Sequence, residues 1–125
     1  MADFKFDRFL DLNFITIHGK SKFPGLYVWR RDGQRAAVKI PDGCFLIQAG
    51  KQLQYVSAGY FYAGYHEVIV SDDTLAAAEK AKQEGRSTWR VSSTMFSGFE
   101  YNQDLAPFKE FAHLVSQFCW KIESY

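Results

Sequence analysis

Leu26 to Gln48 reads LYVWRRDGQRAAVKIPDGCFLIQ, and this stretch decides the fold. Leu26 to Arg30 is apolar, aromatic and β-branched, as strands favour. Asp32-Gly33 follows, a dipeptide that closes tight hairpins because glycine accepts the backbone angles such turns need. Gln34 to Ile40 then returns as a second strand, with Ala36, Val38 and Ile40 alternating with polar or small residues. Pro41-Asp42-Gly43 is another turn, and Cys44 to Gln48 is a short apolar strand that Gly50 ends.

Outward from this meander the spacing stays short. Leu12 to Ile17 (LNFITI) predicts a strand, and Lys20 to Gly25 predicts a loop ending in Pro-Gly. Leu53 to Ser57 and Tyr60 to Tyr62 read as short strand pieces around Ala58-Gly59, and Tyr65 to Val70 as a further strand. The period then changes. Ser71-Asp72-Asp73 offers N-caps, TLAAAEKAKQE is rich in helix formers, and Gly85 sits where a helix-ending glycine belongs. The helix is placed at 73–84. Thr88 to Phe96 returns to strand. Pro107 opens a terminal helix, about 107–118, with Phe108, Phe111, Leu114, Val115 and Phe118 on one stripe. Strands dominate without regular strand-helix alternation, so a mainly β sandwich or jelly roll is expected, with one inserted and one terminal helix.

Composition sets the bounds. The chain has 125 residues, which fits a single domain over 1–125. It is 47% hydrophobic, 23% charged and 18% aromatic, with 12 phenylalanines, the make-up of a globular protein with a ring-rich core. A formal net charge of +1 gives no electrostatic case for nucleic acid or an anionic membrane as partner. Cys44 and Cys119 have no metal-ligand spacing and read as small buried thiols. The start MADFKFDRF is charged and lacks the apolar core of a signal peptide. No stretch approaches the ~18 apolar residues of a membrane-spanning helix. These features together lead to the expectation of a cytoplasmic protein.

Candidate chemistry lies on several short segments. Phe9-Leu10-Asp11-Leu12-Asn13-Phe14-Ile15-Thr16-Ile17 comes first, then Phe23-Pro24-Gly25-Leu26-Tyr27-Val28. Pro41-Asp42-Gly43 leads into Cys44 to Gly50, and Ser57-Ala58-Gly59, Tyr65-His66-Glu67-Val68 and Arg90-Val91-Ser92 follow. In that order these segments resemble the H-x-D, PGLQV, Pro-x-Gly, Thr-Asn-Gly, His-Arg-Val and R-x-S motifs of the iron(II)/2-oxoglutarate-dependent dioxygenases of the isopenicillin-N-synthase-like class. Each motif is weak by itself, but the ordered set covers about residues 9–96. The resemblance implies a double-stranded β-helix, with Asp11 and His66 as iron(II) ligands and Arg90 and Ser92 as holders of the 2-oxoglutarate carboxylate. It also implies oxidation of a small-molecule substrate, coupled to decarboxylation of 2-oxoglutarate.

The physical chemistry agrees with those roles. Iron(II) in such enzymes takes two histidines and one carboxylate and keeps open positions. On a strand, residues 9 and 11 share a face, as do Arg90, Ser92 and Thr94, while Trp89, Val91 and Ser93 share the other. A guanidinium beside a hydroxyl suits a carboxylate. Each residue also has a plainer reading: Asp11 as a turn residue, His66 as a packed core histidine, Arg90 and Ser92 as ordinary strand residues. His18 and His113 are read as structural, the aromatic stripe as core or partner surface, and tyrosines 55, 60, 62 and 65 as cross-strand packing.

The departures from the pattern are specific. Phe9 stands where the first iron histidine belongs, and phenylalanine cannot ligate a metal. Gly50-Lys51 replaces Gly-Asp, and Glu67 replaces the arginine of His-Arg-Val. The chain starts eight residues before Phe9, whereas the family has a long N-terminal portion, so a truncated member is expected. Its uncovered apolar surface would suit a second copy or a protein partner. A catalytically degenerate binding or interaction module is the second function class that these departures raise.

Overall fold

The computed structural model describes residues 9–117, so Phe118 and Cys119 lie outside the described residues. In chain order the elements are β1 (Phe9–Leu10), β2 (Ile15–His18), β3 (Leu26–Trp29), β4 (Arg35–Ala37), β5 (Leu46–Ala49), α1 (Lys51–Val56), β6 (Tyr65–Val68), α2 (Asp72–Gln83), β7 (Thr94–Ser97) and a terminal 3-10 helix (Lys109–Gln117). They build two antiparallel sheets. One has the order β1-β6-β3-β4 and the other β5-β2-β7. The mainly β jelly-roll expectation matches this architecture.

The hairpin at the centre of the meander forms as read. Tyr27 pairs with Ala37, Val28 with Ala36 and Trp29 with Arg35. Gly33 takes the turn at φ +79°, where a side chain would be strained. On this sheet Glu67 is buried, and Arg35 Nη1 donates to its Oε1 at 2.8 Å. The departure from His-Arg-Val therefore has a partner on the neighbouring hairpin. Helix α2 begins where expected, with Ser71 and Thr74 forming a reciprocal cap. The Thr74 hydroxyl also donates to Pro24 O at 3.2 Å, which docks the inserted helix on the loop before β3.

Several expectations fail locally. Residues 53–57 are not a strand but the end of α1 and its cap Ser57, and residues 60–62 form no strand. KQLQYV opens with the helix formers Lys51, Gln52, Leu53 and Gln54, and tertiary contacts settle its start. The first N–H groups of the turn, on Gly50, Lys51 and Gln52, donate to Phe14 O, Asp11 O and Asn13 O at 2.9, 2.7 and 3.0 Å. Those donors have no partner inside a helix, so the bend at 11–14 caps α1 from outside. The cross-strand reading falls for tyrosines 55, 60 and 62, while Tyr65 stands across the ladder from Leu10. Tyr60 packs on Phe61 and Phe111, and Tyr62 lies under the Arg31 guanidinium at 4.4 Å. Of the expected 88–96 strand only residues 94–96 are paired, in β7 (Thr94–Ser97). Cys44 is exposed rather than buried.

The terminal stripe becomes a 3-10 helix that packs inward through its aromatic rings. Phe111 lies 5.5 Å from Tyr60, and Phe108 lies 6.3 Å from Phe99, ring centre to ring centre. The interior of the described residues is small. Phe23, Val56, Ala58 and Ala81 are its buried apolar members, beside buried Thr16, Gln48, Ser57, Glu67 and Thr74. Phe45, just before β5, and Ile47 and Met95, on the β5-β2-β7 sheet, remain largely exposed. The cross-strand pairs Ile17↔Ile47 and Ile17↔Met95 place the last two in one row with Ile17.

Gly50 is the narrowest point of this arrangement. A Cβ there would stand 2.0 Å from Asn13 O and 2.5 Å from Asn13 Oδ1. We predict that Gly50→Ala costs at least roughly 1–3 kcal/mol by overpacking against backbone. Chemical denaturation measures it, and an unchanged midpoint would show that the 11–14 bend can move away freely.

Candidate functional site

The two sheets enclose a cavity of about 460 Å³, within the ordinary range for small-molecule sites. Asp11, His66, Arg90 and Ser92 all line it. The structure thus brings together every residue singled out for the site. Asp11 is delivered by the bend after β1, His66 by β6, and Arg90 and Ser92 by the segment running into β7. Thr94 lines the same wall, as strand parity predicts, while Trp89 and Val91 are exposed. Ser93 lines the cavity as well. Residues 90–93 are unpaired as strand, so strict alternation does not hold there.

A buried polar network forms one end. Asp11 Oδ2 accepts from the Thr16 hydroxyl at 2.9 Å and from Gln48 Nε2 at 2.8 Å. Gln48 Nε2 also lies 2.8 Å from His66 Nδ1. A carboxylate can only accept, so the amide nitrogen faces it, and His66 Nδ1 must then accept too. The neutral His66 ring therefore carries its proton on Nε2. Phe9 stands directly across the ladder from His66, with the rings 6.3 Å apart.

His18 is the residue that sequence reasoning passed over. It ends β2, lines the cavity, and stands edge-on to His66 at 6.2 Å. Its parity with Thr16 was legible, since both point to the buried face of β2, but a histidine at a strand end carries no motif. Burial pushes its imidazole below the ordinary value of 6.5; the Asp11 carboxylate opposes this, His66 adds to it, and the Gln48 side chain opposes it. Its Nε2 is buried without a hydrogen-bond partner, and so is Arg90 Nε. His113, by contrast, is exposed on the terminal helix.

Neither a family model nor a curated protein sequence matches the chain. Solved structures do. It is similar to the dioxygenase for auxin oxidation 1 from Arabidopsis thaliana, solved with 2-oxoglutarate, at 20% identity and a TM-score of 0.67 over 84% of this chain and 35% of that one. A protein from Shewanella oneidensis, assigned as an oxygenase, is 27% identical with a TM-score of 0.64 over 85% of this chain and 35% of that one. JOX2, solved with 2-oxoglutarate, Fe and JA, is 24% identical with a TM-score of 0.65 over 84% of this chain and 27% of that one. This is the jelly-roll fold of the 2-oxoglutarate/iron(II) oxygenases. The chain spans about a third of the length of the oxygenases it matches.

Against that fold the two cofactor positions differ in fit. Among the described residues no three His, Cys, Asp or Glu side chains converge on a point that could hold a metal ion. Asp11 and His66 are instead joined through Gln48, and His66 Nε2 could ligate only with the ring proton on Nδ1, the atom that Gln48 Nε2 faces. The side chains present do not complete an iron site. The dicarboxylate position is different. Arg90 offers a guanidinium with an unpartnered buried Nε, and the hydroxyl-bearing Ser92 lines the same cavity.

Two outcomes test this description. Gln48→Leu strands Asp11 and His66, so it should cost roughly 1–3 kcal/mol in chemical denaturation. A neutral result would mean that water replaces the amide. For pH, His18 has a lowered value when folded, so the unfolded chain takes up its proton first. Stability should fall as pH drops from 6.5 through the depressed value. His18→Gln should flatten that part of a melting-temperature profile, and an unchanged slope would remove His18 as its source.

Proposed function

We propose that this chain is a 2-oxoglutarate-binding member of the non-haem iron(II)/2-oxoglutarate-dependent dioxygenases, a class of oxidoreductase acting on small molecules. One observation carries the reading: Asp11, His66, Arg90 and Ser92 line a single cavity inside this jelly roll. In this reading Arg90 and Ser92 hold the distal carboxylate of 2-oxoglutarate, and Asp11 and His66 are the side chains that face iron(II). When bound, the two cofactors supply oxidation of the substrate, coupled to oxidative decarboxylation of 2-oxoglutarate to succinate. A cytoplasmic location belongs to the same proposal; what supports it is that Cys44 is a free thiol, and that no helix among the described residues is long and apolar enough to cross a membrane.

A second reading, a catalytically degenerate module that binds rather than turns over, is favoured by a specific observation. Phe9 occupies the position across from His66 where the class has its first ligand, and Gln48 ties the two remaining ones together. With an incomplete ligand set, iron should bind weakly and succinate release should be negligible.

The two readings separate in one assay pair. Succinate release is measured with iron(II), ascorbate and oxygen, beside an iron titration. We expect negligible release from the unmodified chain and tighter iron binding in Phe9→His. Robust release from the unmodified chain would overturn the degenerate reading, and unchanged iron affinity in Phe9→His would show that position 9 is not a ligand position. For the dicarboxylate, Arg90→Lys should weaken 2-oxoglutarate binding by roughly 1.5–3 kcal/mol, since a point charge cannot reproduce the two-pronged contact. Calorimetry with manganese(II) present measures it, and equal affinities would exclude Arg90 from the site.

A further inference from the structure

The anion-binding half of the cavity is more complete than its metal-binding half, and His18 is part of that half. We propose that the cavity binds a 2-oxoglutarate-class dicarboxylate without a metal ion, with Arg90 and His18 as its two nitrogen anchors. This rests on the reading of Arg90 as a carboxylate anchor.

The first support is a pair of orphaned atoms. His18 Nε2 and Arg90 Nε are both buried without a hydrogen-bond partner, and both residues line the same cavity. Buried polar groups almost always find partners, so two orphans in one cavity wall point to an absent ligand. An Arg Nε can only donate. His18 Nε2 donates in one neutral tautomer and in the charged ring, and an acceptor such as a carboxylate selects those forms. Gln48 Oε1 is also buried and unpartnered, and the Gln48 side chain stands close enough to His18 to favour its charged ring. The bonds of Gln48 Nε2 to Asp11 and His66 fix that amide in place.

The second support is position. His18 pairs across the ladder with Thr94, and Gly19 N donates to Ser93 O at 2.8 Å. The wall that carries Ser92 and Arg90 therefore continues directly from the strand beside His18. On its other side His18 meets His66. It stands between the polar network and the guanidinium wall, where the near end of a ligand held by Arg90 would come.

The third support is charge. Lys22, Lys39 and Arg90 line the cavity, with Lys20, whose ammonium is paired with Asp42, and the acid among the lining residues is Asp11. Asp11 Oδ2 already accepts from Thr16 and Gln48. The charged groups around the cavity are mostly cationic, Lys22 and Lys39 at its exposed rim, and a doubly charged anion answers them better than a monocarboxylate. The Gln48 bridge ties Asp11 to His66 by itself, so no ion is needed to hold that end of the cavity together.

The test is calorimetry of the full chain with 2-oxoglutarate in excess chelator, and again with manganese(II). We expect binding in chelator, with 2-oxovalerate, which lacks the second carboxylate, at least tenfold weaker. His18→Leu should lose at least tenfold, and His18→Gln, which keeps a donor, should recover part of it. On the unmodified chain, titration in chelator should shift the His18 ring signal among the three histidines in a nitrogen-proton spectrum, which holds whether or not a variant folds. Binding that appears only with manganese(II) would overturn this inference and leave the oxygenase reading standing. Absence of binding under both conditions would overturn both. Binding in chelator with an unmoved His18 signal, or with full affinity in folded His18→Leu, would remove His18 from the site.

Discussion

The side-chain amide of Gln48 is the contact on which the site depends. It rises from β5 in one sheet and reaches His66 on β6 of the other, and Asp11 in the bend that follows that sheet's edge strand β1. A single primary amide thereby joins the two layers of the jelly roll at the end where the cavity closes. The interior around it is unusually polar, with Thr16 fully buried against the same carboxylate. In a low-dielectric setting such a network is strong when satisfied and costly when broken, which makes the geometry of Asp11 and His66 unusually fixed.

A second constraint acts on the backbone. The bend at 11–14 presents its carbonyls to the first amides of α1, so Asp11 is held from behind by a helix and in front by Gln48 and Thr16. Gly50 allows that approach because any side chain would collide with Asn13. The family pattern has a glycine at this point, and the structure supplies a reason: chain contact rather than a turn. The acid that follows that glycine in the family is Lys51 here, whose role in the contact is played by its backbone amide.

These constraints give the cavity an asymmetry. One end presents two would-be metal ligands already satisfied by an amide, opposite a phenylalanine. The other end presents a guanidinium, and His18 stands between the two, each with an unsatisfied buried nitrogen atom. The ligand that the unsatisfied groups call for is an anion. Many large apolar side chains of this third-length chain remain exposed, Trp89, Phe45 and Ile47 among them. The small interior is therefore organised by polar contacts more than by apolar burial.

By itself the sequence determined the strand-rich class, the hairpin at Asp32-Gly33, the capped helix after Ser71 and the ordered segments bearing Asp11, His66, Arg90 and Ser92. Those features are local: turn chemistry, capping and period-two alternation act over a few residues and are written in adjacent letters. Tertiary structure alone decided three others. KQLQYV became a helix because carbonyls from 11–14 capped it, residues 88–93 stayed out of the ladder, and His18 met His66 and the Arg90 wall. In each case the deciding partner lies far away in the chain or is absent from any motif. Hydrogen bonds and burial across two sheets depend on which surfaces meet, and no local pattern records that.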